Sequence, residues 1–209
     1  MTDSDTYVIT VNERNVMVYC NMTLRGGGWT VIQQRVNGNL AFNRTWQEYR
    51  NGFGELTTNF WLGLQNIRDI TAFSGNTFEL YIGLESFHPT DVERFALYKS
   101  FSLASEAENY ALNIGSLDRD SDAGDSLVQH NKKQFSTPDR DNDTAPRKHC
   151  AKEFKAGWWF HNCHDSLLNG QWYADGLLAD LNVPDGIIWE TWSGDRESLK
   201  ATIMAVRPL

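Results

Sequence analysis

The sequence predicts an α+β domain: a twisted antiparallel sheet with short helices, plus a loop-rich region. Three observations predict it. Short runs dense in β-branched and aromatic residues recur in the first part of the chain, as at 6–11 and 29–35. Phe78, Leu80, Ile82 and Leu84 alternate with more polar neighbours, the period of a strand buried on one face. Regular patterning fades from Leu117 to about Asp185, then returns at 186–192 and 202–207. The segment Thr202–Arg207 is apolar on both faces, which marks a central strand. The loop-rich region is therefore an excursion between two strands of one sheet.

Taken in order, TYVITV and NVMVYC between residues 6 and 20 read as two short strands, ended by the glycines at 26–28. Trp29–Arg35 reads as a third, followed by an Asn-Gly turn signal at 37–38. Thr45 caps a helix over Trp46–Arg50, which stops at Asn51-Gly52. Phe60-Trp61-Leu62 forms a short apolar strand. Leu64, Ile67 and Ile70 recur at helical spacing, so 63–71 reads as a small amphipathic helix. Glu93–Leu103 and Tyr110–Ile114 extend the sheet as a meander, and 186–192 is expected to rejoin it. No repeat, linker or low-complexity tract interrupts the pattern.

At 209 residues the chain has the length of one large domain or two small ones, enough for a substantial core. A net charge of −8 gives no support to binding nucleic acid or anionic lipid. No apolar run reaches membrane-spanning length, and residues 1–10 carry no signal-peptide pattern. Three cysteines leave one unpaired if two join. Sequons at Asn21, Asn43 and Asn142, many tryptophans and Gly-rich turns lean toward an extracellular protein.

The chemistry concentrates between Phe135 and His164. Asp139, Asp141 and Asp143 alternate, so their hard oxygens can converge on calcium, which takes six to eight such ligands. This is no EF-hand: Thr144 stands where that loop needs glycine, and Cys150 where it needs glutamate. A solvated acidic turn is the rival reading, and on these residues alone the preferred one. The acidic loop at 118–125 fails the same tests and reads as surface. Cys150 and Cys163 admit a disulfide, favoured in a secreted context, or zinc with His149, His161 and His164. Their spacing matches no paired-knuckle pattern. Trp158, Trp159, Phe160, Trp172 and Tyr173 either stack on sugars or form a satellite core, and for most of them the core reading is preferred. No HExxH, P-loop or GxSxG motif is present. Asp125, Ser126 and His130 group only by coincidence, Cys163-His164 are mere neighbours, and His88 reads as structural, so no enzyme is expected.

These stretches together resemble the fibrinogen-like domain, the family of ficolins, tachylectins, angiopoietins and the fibrinogen chain ends. The resemblance rests on VYCNM (18–22), GGGWTVIQQR (26–35), WQEYRNGFG (46–54), FWLG (60–63) and AGDSL (123–127). It continues through FSTPDRDND (135–143), the Cys150/Cys163 pair, GWW (157–159), NCH (162–164), LNG (168–170), DGIIWETW (185–192) and SLKATIMAVRP. It spans essentially the whole chain and implies one fibrinogen-like domain over 1–209. Within it lie an N-terminal part (1–60), a central antiparallel sheet (61–125 and 186–209) and a calcium- and ligand-binding part (126–185). The resemblance also implies a partner for Cys20 upstream of residue 1, and an oligomer formed through that upstream region.

Carried over by position, the resemblance implies that Asp141 and Asp143 bind Ca2+ by their carboxylates and Ala145 and Arg147 by backbone carbonyls, with Asp139 behind them. It implies a Cys150–Cys163 disulfide and a cis peptide at Asn162–Cys163. The N–H groups of Cys163 and His164 then face a pocket for an acetyl group, whose methyl meets apolar side chains. Two departures alter that pocket: Phe154 stands where tyrosine is common, and Val183-Pro184 where an aromatic and a small residue are common. Phe154 and Pro184 also remove the acidic groups of fibrinogen's peptide pocket. The function so implied is a secreted, calcium-dependent lectin for acetylated sugars and microbial surface polysaccharides in innate immunity. The alternative is a module that recognises a receptor or matrix protein.

Overall fold

A computed structural model describes residues 3–72, 75–88 and 92–209. Its centre is β11 (Ala201–Pro208), which pairs antiparallel with β3 (Trp29–Arg35) on one side and β6 (Phe78–Glu85) on the other. Met204, Ala205 and Val206 are wholly buried, as expected of a strand apolar on both faces. Beyond β3 lie β2 (Arg14–Asn21) and β1 (Asp5–Val11); beyond β6 lie β7 (Glu93–Leu103) and β8 (Leu112–Ile114). The small strands β4 (Phe53–Gly54) and β5 (Phe60–Trp61) join through β3. The sheet thus runs continuously across residue 60, and β1–β3 are part of it, not a separate layer.

The helices form where the local chemistry asks for them. α1 (Trp46–Asn51) begins with a capping box: Thr45 Oγ1 accepts from Glu48 N–H, and the Glu48 carboxylate accepts from Thr45 N–H. It ends at Gly52, whose φ of 94° suits glycine, and where a Cβ would stand 2.6 Å from the Leu62 carbonyl oxygen. α2 (Leu64–Ala72) buries Leu64, Ile67 and Ile70 on one face, the stripe read from the sequence.

Two stretches differ from expectation. Tyr110–Ile114 yields only β8, because Asn109 and Tyr110 take left-handed backbone conformations that turn the chain before the strand begins. Residues 186–192 do not rejoin the central sheet. Ile188–Trp189 (β10) pairs with Ser166–Leu167 (β9) in a separate ribbon, and Glu190–Ser193 turns into a short helix. The apolar run is real, but Ile187, Ile188 and Trp189 are buried by the excursion itself.

The excursion docks through aromatic side chains and buried polar anchors. Trp61 and Tyr49, on the scaffold, pack against Phe135 at ring separations of 6.0 and 5.2 Å, and Phe135 packs on Trp159 at 5.2 Å. Arg35 is 1 % exposed; its Nη1 donates to the carbonyls of Leu168 and Gly170, and its guanidinium lies over Phe42. Gln33 Nε2 donates to Leu168 O, Asn169 Nδ2 to Gly157 O, and Trp159 Nε1 to Tyr110 O. Gly170 passes so near Gly186 that a Cβ would fall 1.9 Å from its carbonyl oxygen.

Tyr49 tests this docking. Its hydroxyl donates to the buried carbonyl of Phe42 at 2.6 Å. Tyr49→Phe leaves that carbonyl without its donor and is expected to lower unfolding free energy by about 1–3 kcal/mol. Urea denaturation checks this, with the midpoint shifting and the slope unchanged.

Candidate functional site

The acidic loop is built from turns that fold back on themselves. Thr137 and Arg140 exchange backbone hydrogen bonds, and Asn142 is fixed at both ends, its N–H on Ser136 Oγ and its Nδ2 on Phe135 O. Asp139 is exposed, yet its Oδ1 accepts from Trp46 N–H at 2.8 Å and Thr137 Oγ1 at 2.7 Å. It ties the loop to the start of α1, so its structural role is separate from that of the two aspartates that follow.

Asp141 and Asp143 converge. Asp141 Oδ1 accepts from Asp143 N–H at 3.2 Å, while Asp143 accepts from Ala145 N–H through Oδ1 and from Cys150 N–H through Oδ2. Burial, and then the Asp141 charge, push the Asp143 carboxyl above the usual range, against the two N–H donors. Among the described residues no ion pair offsets either carboxylate. No group of three or more His, Cys, Asp or Glu side chains gathers there either. Ala145 packs against the core and Arg147 is exposed. The donor set is thus two hard carboxylates held close, with a like-charge repulsion that a cation would relieve. It fits calcium.

Cys150 opens the short helix α3 (Cys150–Glu153) and is bonded to Cys163. The two sulfurs being joined, the zinc reading is excluded. The Asn162–Cys163 peptide is cis. Among the described residues, the backbone N–H groups of Cys163 and His164 meet no acceptor within the protein. Beside them, the His164 ring sits edge-on to Phe154 at 4.5 Å, with Phe160 behind both. His164 is half-buried; both ring nitrogens are shielded from solvent, and neither has a partner of good geometry. Its pKa is pushed down to about 3, first by burial and then by His161 and Lys148; the nearby Pro184 carbonyl opposes this weakly. Phe154, Cys163, His164 and Pro184 therefore share one neighbourhood. Val183 packs against the core next to Pro184, held by a turn to Asp180, while Asn162 is exposed.

The histidine dismissed in sequence reading has a positioning role. His130 is wholly buried: Nδ1 donates to Trp159 O at 2.8 Å, and Nε2 accepts from the N–H groups of Asp165 and Ser166. It clamps the two sides of the segment that carries Cys163. Burial pushes its pKa down to about 3, with the Trp159 carbonyl opposing. No spacing motif could have flagged it, since its partners are backbone atoms about 30 residues away. The other suspected groupings dissolve: Asp125 accepts from Tyr98 OH, and Ser126 bonds Thr191. Trp158, Trp159 and Phe160 are wholly buried, hence core.

Comparison with known proteins agrees with this architecture. The whole chain, residues 1–209, matches the family described as fibrinogen beta and gamma chains, C-terminal globular domain. It is 41 % identical over 196 residues to ryncolin-4 of Cerberus rynchops, covering 94 % of this chain and 54 % of that protein. The fibrinogen-like globe domain of human ANGPTL2 superposes with a TM-score of 0.92 at 38 % identity, covering 98 % of this chain and 92 % of that one. Lamprey fibrin D-dimer, complexed with the peptide Gly-His-Arg-Pro-amide, superposes at 0.90 and 36 % identity, covering 100 % and 70 %. The chain spans about half the length of the curated relatives it matches.

Two outcomes follow for stability. Replacing Cys150 and Cys163 together by serine is expected to cost about 3 kcal/mol, read by denaturation of both forms without reductant. The second concerns acid. His130 and His164 have folded pKa values near 3, below the ordinary 6.5, so they favour folding fully above pH 6.5. That contribution drains as pH falls from 6.5 toward 3. His130→Gln is expected to flatten the decline between pH 6.5 and 4.5; parallel slopes for both proteins would contradict it.

Proposed function

This chain belongs to the family of fibrinogen C-terminal globular domains, and from that footing we propose an extracellular, calcium-dependent recognition module for acetylated glycans on microbial surfaces, acting in innate defence. Members of the family are binding modules, not enzymes. The observation that carries the reading is the pair of unpartnered N–H groups on Cys163 and His164, with the His164 ring edge-on to Phe154 at 4.5 Å. Two adjacent backbone donors suit one carbonyl oxygen, and an aromatic wall suits the methyl group attached to that carbonyl. An acetamido sugar presents both.

The residues divide the work. Cys163 and His164 donate from the backbone, while Phe154 and Pro184 supply the apolar wall and Val183 backs it. His130 fixes the segment from Trp159 to Ser166. Asp141 and Asp143, with the carbonyls of Ala145 and Arg147, would hold calcium. When bound, the ion supplies positive charge that lets both carboxylates stay ionised at close range. Asp143 is also bonded to Cys150 N–H, so an ordered Asp143 steadies the disulfide at one end of the pocket. A single shallow site of this kind is weak, and useful affinity comes from several copies acting on one surface.

A second reading is favoured by a specific observation. Leu177 and Leu181, in the loop just before Val183, are 57 % and 59 % exposed. Apolar side chains beside the site suit a protein or peptide ligand, and the lamprey fibrin relative is complexed with a peptide.

Calcium about a hundredfold above its dissociation constant is expected to stabilise the domain by about 2.7 kcal/mol. Asp143→Asn abolishes that gain, as thermal unfolding with and without chelator reports. N-acetylglucosamine-agarose is expected to retain the parent chain only with calcium, and not to retain Asp143→Asn. Retention unaffected by chelator sinks the calcium dependence. Failure to bind any acetylated sugar while a protein ligand is captured favours the second reading.

A further inference from the structure

One face of the sheet carries Gln34, Ile203, Gly83 and Phe95 in a single cross-strand row. An open groove of about 500 Å³ runs over this row, remote in sequence from the acidic loop and the cysteine pair. Its floor stays low because Gly83 has no side chain: a Cβ there would stand 2.8 Å from Ile203 Cγ2 and 3.0 Å from the Tyr81 ring. Ile203, Phe95 and Tyr81 are half-buried, and Glu85 and Glu93 supply polar groups along the lining. Asn21 and Leu24 also line the groove.

Asn21 begins the sequon Asn21-Met-Thr23. Its Oδ1 accepts from Thr23 N–H at 3.0 Å, Thr23 Oγ1 at 3.1 Å and Leu24 N–H at 2.8 Å. The amide oxygen is therefore committed to a turn and the orientation of the side chain is fixed. Among the described residues, Nδ2 meets no protein acceptor. The sequon at Asn142 is the reverse case: its Nδ2 donates to Phe135 O at 2.7 Å and its N–H to Ser136 Oγ, within the folded acidic loop.

We propose that Asn21 carries an N-linked glycan whose first sugars lie along this groove, over Ile203, Gly83 and Phe95. The attachment is a substitution at carbon. Nδ2 of Asn21 bonds to the anomeric C1 of a lipid-pyrophosphate-linked oligosaccharide, and the C1–O bond breaks. The lipid pyrophosphate leaves with the electron pair, and Nδ2 gives up one proton and keeps the other. Pyranose rings have apolar C–H faces that suit Ile203 and the Phe95 edge, and hydroxyls that suit Gln34, Glu85 and Glu93. The glycan thereby covers apolar surface that the protein leaves open. This inference rests on the extracellular reading, and not on the sugar-binding one.

The chain is expressed behind a secretory signal in mammalian cells, and the secreted protein is treated with peptide N-glycosidase in heavy-oxygen water. That enzyme converts a glycosylated asparagine into labelled aspartate, which peptide mapping reads at each sequon. Label is expected at Asn21 and absent at Asn142. Release at Asn21 is expected to need prior denaturation. Thr23→Ala, which deletes the sequon, is expected to lose one glycan's mass and to gain binding of an apolar dye. A secreted chain with bare Asn21 overturns the proposal. So does a glycan released as fast from the folded protein as from the denatured one, or dye binding unchanged in Thr23→Ala. A chain retained inside the cell sinks the extracellular reading and this inference together.

Discussion

A buried arginine holds the two halves of this molecule in register. Arg35 is a cation almost wholly removed from water, with no carboxylate against it among the described residues; burial lowers its pKa to about 10, so it stays protonated at neutral pH. A charge so placed is costly unless polar groups replace its hydration. The carbonyls of Leu168 and Gly170 do so at Nη1, and the guanidinium lies over the face of Phe42, while Nε stays buried without a partner. These carbonyls belong to the excursion, and Arg35 belongs to a strand next to the central one. The loop region therefore cannot drift from the sheet without stranding a charge. Gln33, two residues earlier on the same face of the strand, makes the same connection through Leu168 O, and its Oε1 accepts from Thr202 Oγ1 of the central strand.

From that anchor the rest of the site follows by short steps. Residues 168–170 lead back through β9 to the segment that His130 clamps, and that segment carries Cys163. The disulfide passes the constraint to Cys150, whose N–H is bonded to Asp143. Asp139 closes the circuit by fixing the acidic loop to the start of α1, whose Tyr49 packs on Phe135. Loops this poor in backbone ladders are ordered here by side chains acting on backbone groups. This is the expected solution where binding surfaces sit on loops carried by a rigid scaffold.

Much of the scaffold was legible in the sequence because its signals are local. Strand alternation at 78–84, the capping box at Thr45 and the apolar stripe of α2 each depend on residues within one turn or one strand. The apolar run at 186–192 was misplaced for the same reason. Hydrophobicity announces burial but does not say against what, and Ile188 and Trp189 are buried by the excursion, not by the central sheet. The turn at Asn109 and Tyr110 was hard to read because asparagine favours the left-handed region only as a tendency, and tyrosine gives no sign of it.

The sequence by itself determined the kind of protein this is: an antiparallel sheet closed by an apolar central strand, interrupted by an acidic, cysteine-bearing, aromatic-rich excursion. Motif order along the whole chain was enough to place it in its family. The tertiary structure alone decided which of those residues meet. It tied Asp139 to the start of α1, set the Asp143 carboxylate on Cys150 N–H, and gave His130 and Arg35 their positioning roles. The physical reason is that the decisive partners are backbone N–H and carbonyl groups. Every residue carries them, so no residue type or spacing reveals which will be left unpaired until the chain has folded.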